Sequence, residues 1–242
     1  MKLPWSKPQP KFRHDDTFLT LEQTATDRRF SMPYMPTYEF AGEYLNAEHA
    51  EFTTCPTKLG MIDIGIDGWL LPADALKLYE LAYFCRGDCL ELGTFRGLST
   101  SVILRATTAA GRANRILSID LDPKAPQAGR TSLANIPGHD RVLFVHTSGD
   151  EALATFTRER RRFSFCFIDH SHRYEHVRSA CEALPAVMRH GAFCLFHDYN
   201  DRRNARPDID DYGVWQGVRD GLSKRHFEFW GIFGCTGLFR RV

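Results

Sequence analysis

From Gly68 onward, short continuous apolar runs alternate with longer segments whose apolar residues recur every three or four positions. The runs Cys89–Leu92, Arg115–Leu121, Val142–His146, Phe163–Asp169 and Ala192–His197 read as strands. Helices are expected between them at Ser99–Ala109, around Gly129–Ala134, at Asp150–Arg158 and at Tyr174–Met188, where Pro185 should kink or end the last one early. Ahead of them, Pro72–Ala82 carries Ala75, Leu76, Leu78, Tyr79 and Ala82 at helical spacing, with Pro72 near its start. The tail adds a helix at Val214–Lys224 and two strands, Phe227–Phe233 and Gly237–Arg241, joined at Gly234. Unbroken apolar strands separated by helices imply a mostly parallel sheet covered on both faces. Two final strands on a short connection imply an antiparallel hairpin. The expected class is therefore α/β, a three-layer sandwich around a seven-stranded sheet.

Before this region the pattern is weak. Residues 1–67 read as an irregular arm, with a short helix expected around Glu39–Asn46. Such an arm suits a lid or a homodimer contact. Tyr34, Tyr38, Tyr44 and Trp69 either line an acceptor pocket or anchor the arm, and anchoring is the favoured reading.

Composition narrows the picture. A chain of 242 residues, 43% hydrophobic and 25% charged, with net charge +1, is an ordinary globular domain with no global field for nucleic acid or an anionic membrane. The run Arg158–Arg162 reads as a solvated helix end. Seven cysteines without a C-x-x-C pair argue against a zinc knuckle and for a reducing compartment. Met1–Pro10 has no apolar core of a signal peptide, and no stretch reaches the ~18 apolar residues of a spanning helix. A cytoplasmic protein is expected.

In an open α/β sheet, ligands lie beyond the carboxyl ends of the strands. The first of those strands ends in Glu91-Leu-Gly-Thr-Phe-Arg-Gly97-Leu-Ser-Thr, where Gly93 and Gly97 allow a tight turn and Ser99 or Thr100 can cap a helix. Glu91 replaces the first glycine of a dinucleotide fingerprint. An acid there suits a cationic ligand and repels a pyrophosphate. The second strand closes on Asp120, placed for ribose hydroxyls, while Asp122 caps the turn before Pro123. The third closes on Thr147-Ser148-Gly149-Asp150, whose residues either meet an adenine amino group or cap the next helix.

Together, Cys89–Ser101, Ile116–Asp122, Phe167–Glu175 and Gly191–Tyr199 resemble the class I S-adenosylmethionine (SAM)-dependent methyltransferases over roughly residues 68–242, closest to small-molecule O-methyltransferases of the catechol and macrocin type. The resemblance implies a Rossmann-like fold, SAM as cofactor and a small-molecule acceptor. The candidate cofactor set is Glu91, Gly93, Thr94, Gly97, Ser99, Asp120, Ser148, Asp150 and Asp169. Similar methyltransferases hold a divalent ion on aspartates at the fourth and fifth strand ends. The matching positions are Asp169 and Asp198, with Mg²⁺ or Mn²⁺ expected. Where those relatives carry an acid or amide beside the second aspartate, this chain has His197. Either His197 ligates, or the enzyme is metal-free with His172 or His197 as general base; His172, His197 and Asp169 are the catalytic candidates. His172 and His176 share helical spacing but lack an H-E-x-x-H motif, and His170 is read as a loop residue. Asp208, Asp210 and Asp211 fall in a polar stretch, Asn200–Tyr212, that reads as solvated loop. The competing readings are an NAD-dependent oxidoreductase on a similar sheet and a non-catalytic SAM-fold binding protein.

Overall fold

The computed structural model describes residues 34–206 and 208–242. A sheet of seven strands runs through the middle: β3 (Cys89–Leu92), β4 (Ile116–Asp120), β5 (Val142–His146), β6 (Phe163–Ile168), β7 (Met188–Phe196), β8 (Phe227–Phe233) and β9 (Thr236–Arg241). Their order is β5-β4-β3-β6-β7-β9-β8. The first five are parallel, and β9 pairs antiparallel with both β7 and β8. This is the expected seven-stranded sheet with its C-terminal hairpin. The last strand in sequence is inserted between β7 and β8 instead of sitting at the rim.

Both faces are covered, which is why the strands read as unbroken apolar runs. On one face Cys89, Ile116, Phe165, Phe167 and Leu195 pack against helices α2 (Pro72–Phe84) and α3 (Leu98–Ala109). Leu90, Leu117, Cys166 and Ile168 face the other way, onto α5 (Gly149–Arg158), α6 (Tyr174–Val187) and α7 (Val214–Gly221). The buried residues of α6, Val177, Ala180, Cys181, Leu184 and Val187, fall on one stripe at helical spacing. Pro185 does not cut this helix short. It lies in the final turn, where its ring disturbs only the carbonyl four residues back, and α6 ends at Val187. A further helix, α4 (Ala125–Leu133), packs beside β5 through Gly129, whose absent side chain leaves room for the Phe144 ring.

The N-terminal segment differs from its sequence reading. Residues 39–46 form no helix, with bends over 41–46; the helix α1 comes later, at Ala47–Glu51, capped by Asn46, which accepts from the His49 amide. A two-residue turn at Leu59–Gly60, both with positive φ, joins β1 (Thr57–Lys58) to β2 (Met61–Ile62), as a tight hairpin requires. Tyr34, Tyr38 and Tyr44 pack against the α2 side of the core, so they anchor this segment. Two buried side chains of α2 tie it down. Lys77 Nζ donates to Met35 O (2.6 Å), Thr37 Oγ1 (2.7 Å) and Glu80 Oε2 (2.5 Å), while Glu80 Oε1 accepts from the amides of Thr37 and Tyr38. The calls on residues 1–33 fall outside the described residues. Among the described residues, no helix is long and apolar enough to cross a membrane.

Candidate active site

The carboxyl ends of β3, β4, β6 and β7 open onto one cavity of about 610 Å³, within the range of small-molecule sites. One half is built from the turn after β3. Gly93 has φ +101°, and a Cβ there would come 2.1 Å from the Asp169 carbonyl oxygen, so only glycine lets β3 and β6 close together at this end. The next two amides, Thr94 and Phe95, both donate to Asp120 Oδ2 at 2.8 Å, and the Asp122 amide donates to Asp120 Oδ1 at 2.8 Å. Three of the four acceptor positions of this carboxylate are thereby filled, and one on Oδ1 stays available to a ligand. Gly93, Thr94, Ser99, Asp120 and Asp169 all reach the cavity wall.

The other four residues of the predicted cofactor set do not line the cavity. Gly97, at φ +86°, turns the chain into α3 against Gly129 and Leu133. Ser148 is the N-cap of α5, in a reciprocal box with Glu151. Asp150 accepts from Ser179 Oγ at 2.6 Å and lies 3.4 Å from His176 Nδ1. Glu91 is fully buried beneath the turn, where it accepts from Ser99 Oγ (2.6 Å), Thr100 Oγ1 (2.5 Å) and Ser118 Oγ (2.5 Å). Its grip on those hydroxyls fixes the turn and the start of α3.

Burial raises the Glu91 carboxyl to about 7, although the three hydroxyl bonds pull it down. A carboxyl whose folded pKa lies above its unfolded value stabilises the fold fully below the unfolded pKa and loses that stabilisation as pH rises through the folded one. Here the window runs from about 4.5 to about 7. Relative to Glu91→Gln, the wild type is expected to lose roughly 2–3 kcal/mol between pH 5 and 8, read from urea midpoints at each pH. A constant difference across that range would assign Glu91 an ionised state throughout.

The other half of the cavity holds two carboxylates and two imidazoles. Asp169 follows β6, and His197 and Asp198 follow β7; Asp198 adopts φ +56°, a left-handed conformation that aspartate tolerates better than most residues and that is frequent at functional turns. His172 Nε2 lies 3.0 Å from Asp198 Oδ2 and 3.8 Å from Asp169 Oδ1. His197 Nδ1 lies 3.2 Å from Asp169 Oδ1 and 3.4 Å from Asp198 Oδ2. Burial works against charge here, but the pairing outweighs it. Both carboxyls are held below the usual range by the histidines, His172 is raised to about 9 by Asp169 and Asp198, and His197 is raised well above its ordinary value. The Tyr212 ring stacks on His172 at 4.7 Å, and the Arg203 guanidinium lies over that tyrosine ring at 4.1 Å.

His170 also lines the cavity, next to Gly149; burial lowers its imidazole to about 4, so it is neutral. His176 faces Asp150 and is not brought to His172. Asp208 pairs with Arg206 on the surface, in keeping with a solvated loop. Trp69 is the exception among the predicted aromatics. It is 64% exposed, lines the cavity and packs against Phe95 at 5.1 Å.

Three contributors escaped the sequence reading. Arg203 and Tyr212 lie in the polar stretch after β7, where only the aspartates had been singled out. Asp74, in the first turn of α2, looks like an ordinary helix-start acid, and it does accept from the Leu71 amide at 2.9 Å. It also accepts from the amide of Cys235 and from Thr236 Oγ1, in a turn 161 residues away from Asp74 at the first of these contacts. Nothing in sequence spacing announces that contact.

The donor set suits a divalent ion: Asp169, His172 and Asp198 each present one ligand atom, all within 4.8 Å of one another. The rest of the cavity offers Asp120 as an acceptor for a cofactor, beside the Gly93 turn and the Trp69 and Phe95 rings.

Residues 90–199 match a family model described as a methyltransferase domain, and the fold is that of solved methyltransferases. The chain is 28% identical over 82 residues to an Arabidopsis thaliana protein assigned as a caffeoyl-CoA O-methyltransferase; the match takes in 34% of this chain and 34% of that protein's length. Among solved structures, it is similar to an O-methyltransferase from Bacillus cereus in complex with SAH (TM-score 0.59, 16% identity, 83% of this chain and 94% of that one). It is similar also to an O-methyltransferase of tomaymycin synthesis from Streptomyces achromogenes in complex with SAM (TM-score 0.58, 19% identity, 72% and 81%). At these identities the structural likeness is one of fold.

Proposed function

We propose that this protein is a SAM-dependent O-methyltransferase that methylates a hydroxyl of a small-molecule acceptor, with a divalent ion at the acceptor end. The observation that carries this reading is the single cavity with two chemically distinct halves. Asp120 and the Gly93 turn face one end, and the Asp169, His172, His197 and Asp198 cluster faces the other.

SAM supplies an electrophilic methyl group, and a divalent ion at Asp169 and Asp198 supplies a positive charge that lowers the pKa of a hydroxyl. The protein's own groups do the rest. Asp120 offers its open Oδ1 position to a ribose hydroxyl while fixing the amides of Thr94 and Phe95. With Asp169 and Asp198 neutralised by a divalent ion, the cause of the raised His172 pKa would be removed, and Nε2, freed of its proton, would then accept the one the hydroxyl releases, with Asp198 beside it. Tyr212 holds that imidazole flat. Methyl transfer is an in-line displacement, so holding acceptor and donor in one closed cleft contributes much of the rate.

Calorimetric titration with S-adenosylhomocysteine tests the cofactor half. Wild type is expected to bind at micromolar Kd. Asp120→Ala should weaken binding roughly 10- to 100-fold, the worth of a lost bond to a charged acceptor plus a loosened turn. No binding by the wild type would defeat the proposal.

A further inference from the structure

His197 occupies the position at which the resemblance expects an oxygen ligand, and its two ring nitrogens have different surroundings. Nδ1 points between Asp169 and Asp198, within 3.4 Å of both carboxylates, yet it is buried and makes no hydrogen bond of acceptable geometry to either. The residue as a whole is 6% exposed. A buried polar nitrogen without a hydrogen-bond partner is costly, and in a native site it calls for an explanation.

The other nitrogen provides one. Nε2 lies 3.3 Å from Cys235 Sγ and 3.7 Å from Asp74 Oδ2. The Cys235 thiol donates its single proton to Asp74 Oδ2 at 3.4 Å. Its sulfur is then left as an acceptor for a ring N–H, so Nε2 keeps its proton, and Nδ1, which faces the two aspartates, is the nitrogen whose proton a bound cation would replace. A histidine whose far nitrogen is engaged by a thiol and a carboxylate is arranged as metal-ligating histidines commonly are. Asp74 is fixed in turn by the amides of Leu71 and Cys235 and by Thr236 Oγ1. Gly234, at φ +61°, makes room for it, since a Cβ there would fall 2.3 Å from Asp74 Oδ1.

We propose that His197 Nδ1 is a metal ligand alongside Asp169 and Asp198, held in its ligating tautomer by Asp74 and Cys235, and that this mixed nitrogen–oxygen site selects first-row transition ions over Mg²⁺. The inference rests on the acceptor-end reading of the proposed function and specifies its metal. The physical basis is ligand preference: imidazole favours transition ions, whereas Mg²⁺ is served by carboxylate, carbonyl and water oxygens.

The test is calorimetric titration of the full chain with CoCl₂, MnCl₂ and MgCl₂ separately, with the visible absorption of bound Co²⁺ recorded alongside. Wild type, His197→Asp and Asp74→Asn are compared. In wild type, Co²⁺ is expected to bind about 100-fold or more tightly than Mg²⁺, with Mn²⁺ between them. His197→Asp restores an oxygen donor, so the Co²⁺/Mg²⁺ ratio should fall at least about tenfold and the Co²⁺ spectrum should change. Asp74→Asn should weaken Co²⁺ by about 10- to 100-fold. Equal affinities of wild type for Co²⁺ and Mg²⁺, no Co²⁺ binding, or an identical spectrum and ratio in His197→Asp would each overturn the inference. Because Asp74 also anchors the Cys235–Thr236 turn, the wild-type selectivity and His197→Asp decide the matter if Asp74→Asn unfolds. A parallel S-adenosylhomocysteine titration separates the two readings. Cofactor binding without metal selectivity overturns this inference alone, while selectivity without cofactor binding supports it and removes the methyltransferase reading.

Discussion

Gly93→Ala is expected to destabilise the protein by about 3 kcal/mol or more and to reduce S-adenosylhomocysteine affinity at least tenfold, measured by urea unfolding and calorimetry. Two costs combine. An alanine at φ +101° is strained by itself. Its Cβ would also meet the carbonyl oxygen and carbon of Asp169 at 2.1 and 2.5 Å, and these are backbone atoms of a strand neighbour that no rotamer change can move. Relief requires parting β3 from β6, which shifts the Thr94 and Phe95 amides off Asp120 and displaces Asp169. A loss below 1 kcal/mol with unchanged affinity would mean that the turn has another conformation open to it.

Lys77→Met should cost about 3–5 kcal/mol, the usual penalty for leaving one partner of a buried ion pair without the other. Both Lys77 and Glu80 are wholly buried, so the remaining carboxylate has no water to turn to. The double variant Lys77→Met/Glu80→Gln should recover at least half of that loss. Its glutamine carbonyl can still accept from the Thr37 and Tyr38 amides, and no charge is stranded. Urea midpoints of the three proteins decide the point, and a single variant within 1 kcal/mol of wild type would contradict a desolvated pair. The same pair shows what helical spacing could not convey. Asp74, Lys77 and Glu80 recur every third residue along α2, a seam that reads as a solvated face, yet all three are buried against partners distant in sequence.

Strand positions were legible because a doubly covered strand leaves an unbroken apolar signature. Cys89–Leu92, Val142–His146 and Phe227–Phe233 coincide with the observed bounds, and the α/β architecture directed attention to the strand ends, where Asp120, Asp169, His197 and Asp198 do line one cavity. Local pattern failed where tertiary bonds decide the backbone. A short helix was expected around Glu39–Asn46, but the neighbouring amides of Thr37 and Tyr38 are spent on Glu80, and Gly42 takes φ +88°. Glu91 was legible as a key residue of the turn. Its place behind the cavity wall was not, because a strand's residues alternate in direction and one sequence does not say which hydroxyls from α3 and β4 converge beneath it. Asp74 and Cys235 were illegible for a similar reason, since their meeting depends on where β9 enters the sheet.

That insertion of β9 between β7 and β8 also bears on the order of assembly. β8 contacts the sheet through β9, so during synthesis it can find no permanent partner until the segment after it has left the ribosome. The turn between them carries Cys235, the thiol behind His197. The five parallel strands can associate earlier, but the wall behind His197 is finished only when β9 docks, and long-range pairings of this kind are slow to form.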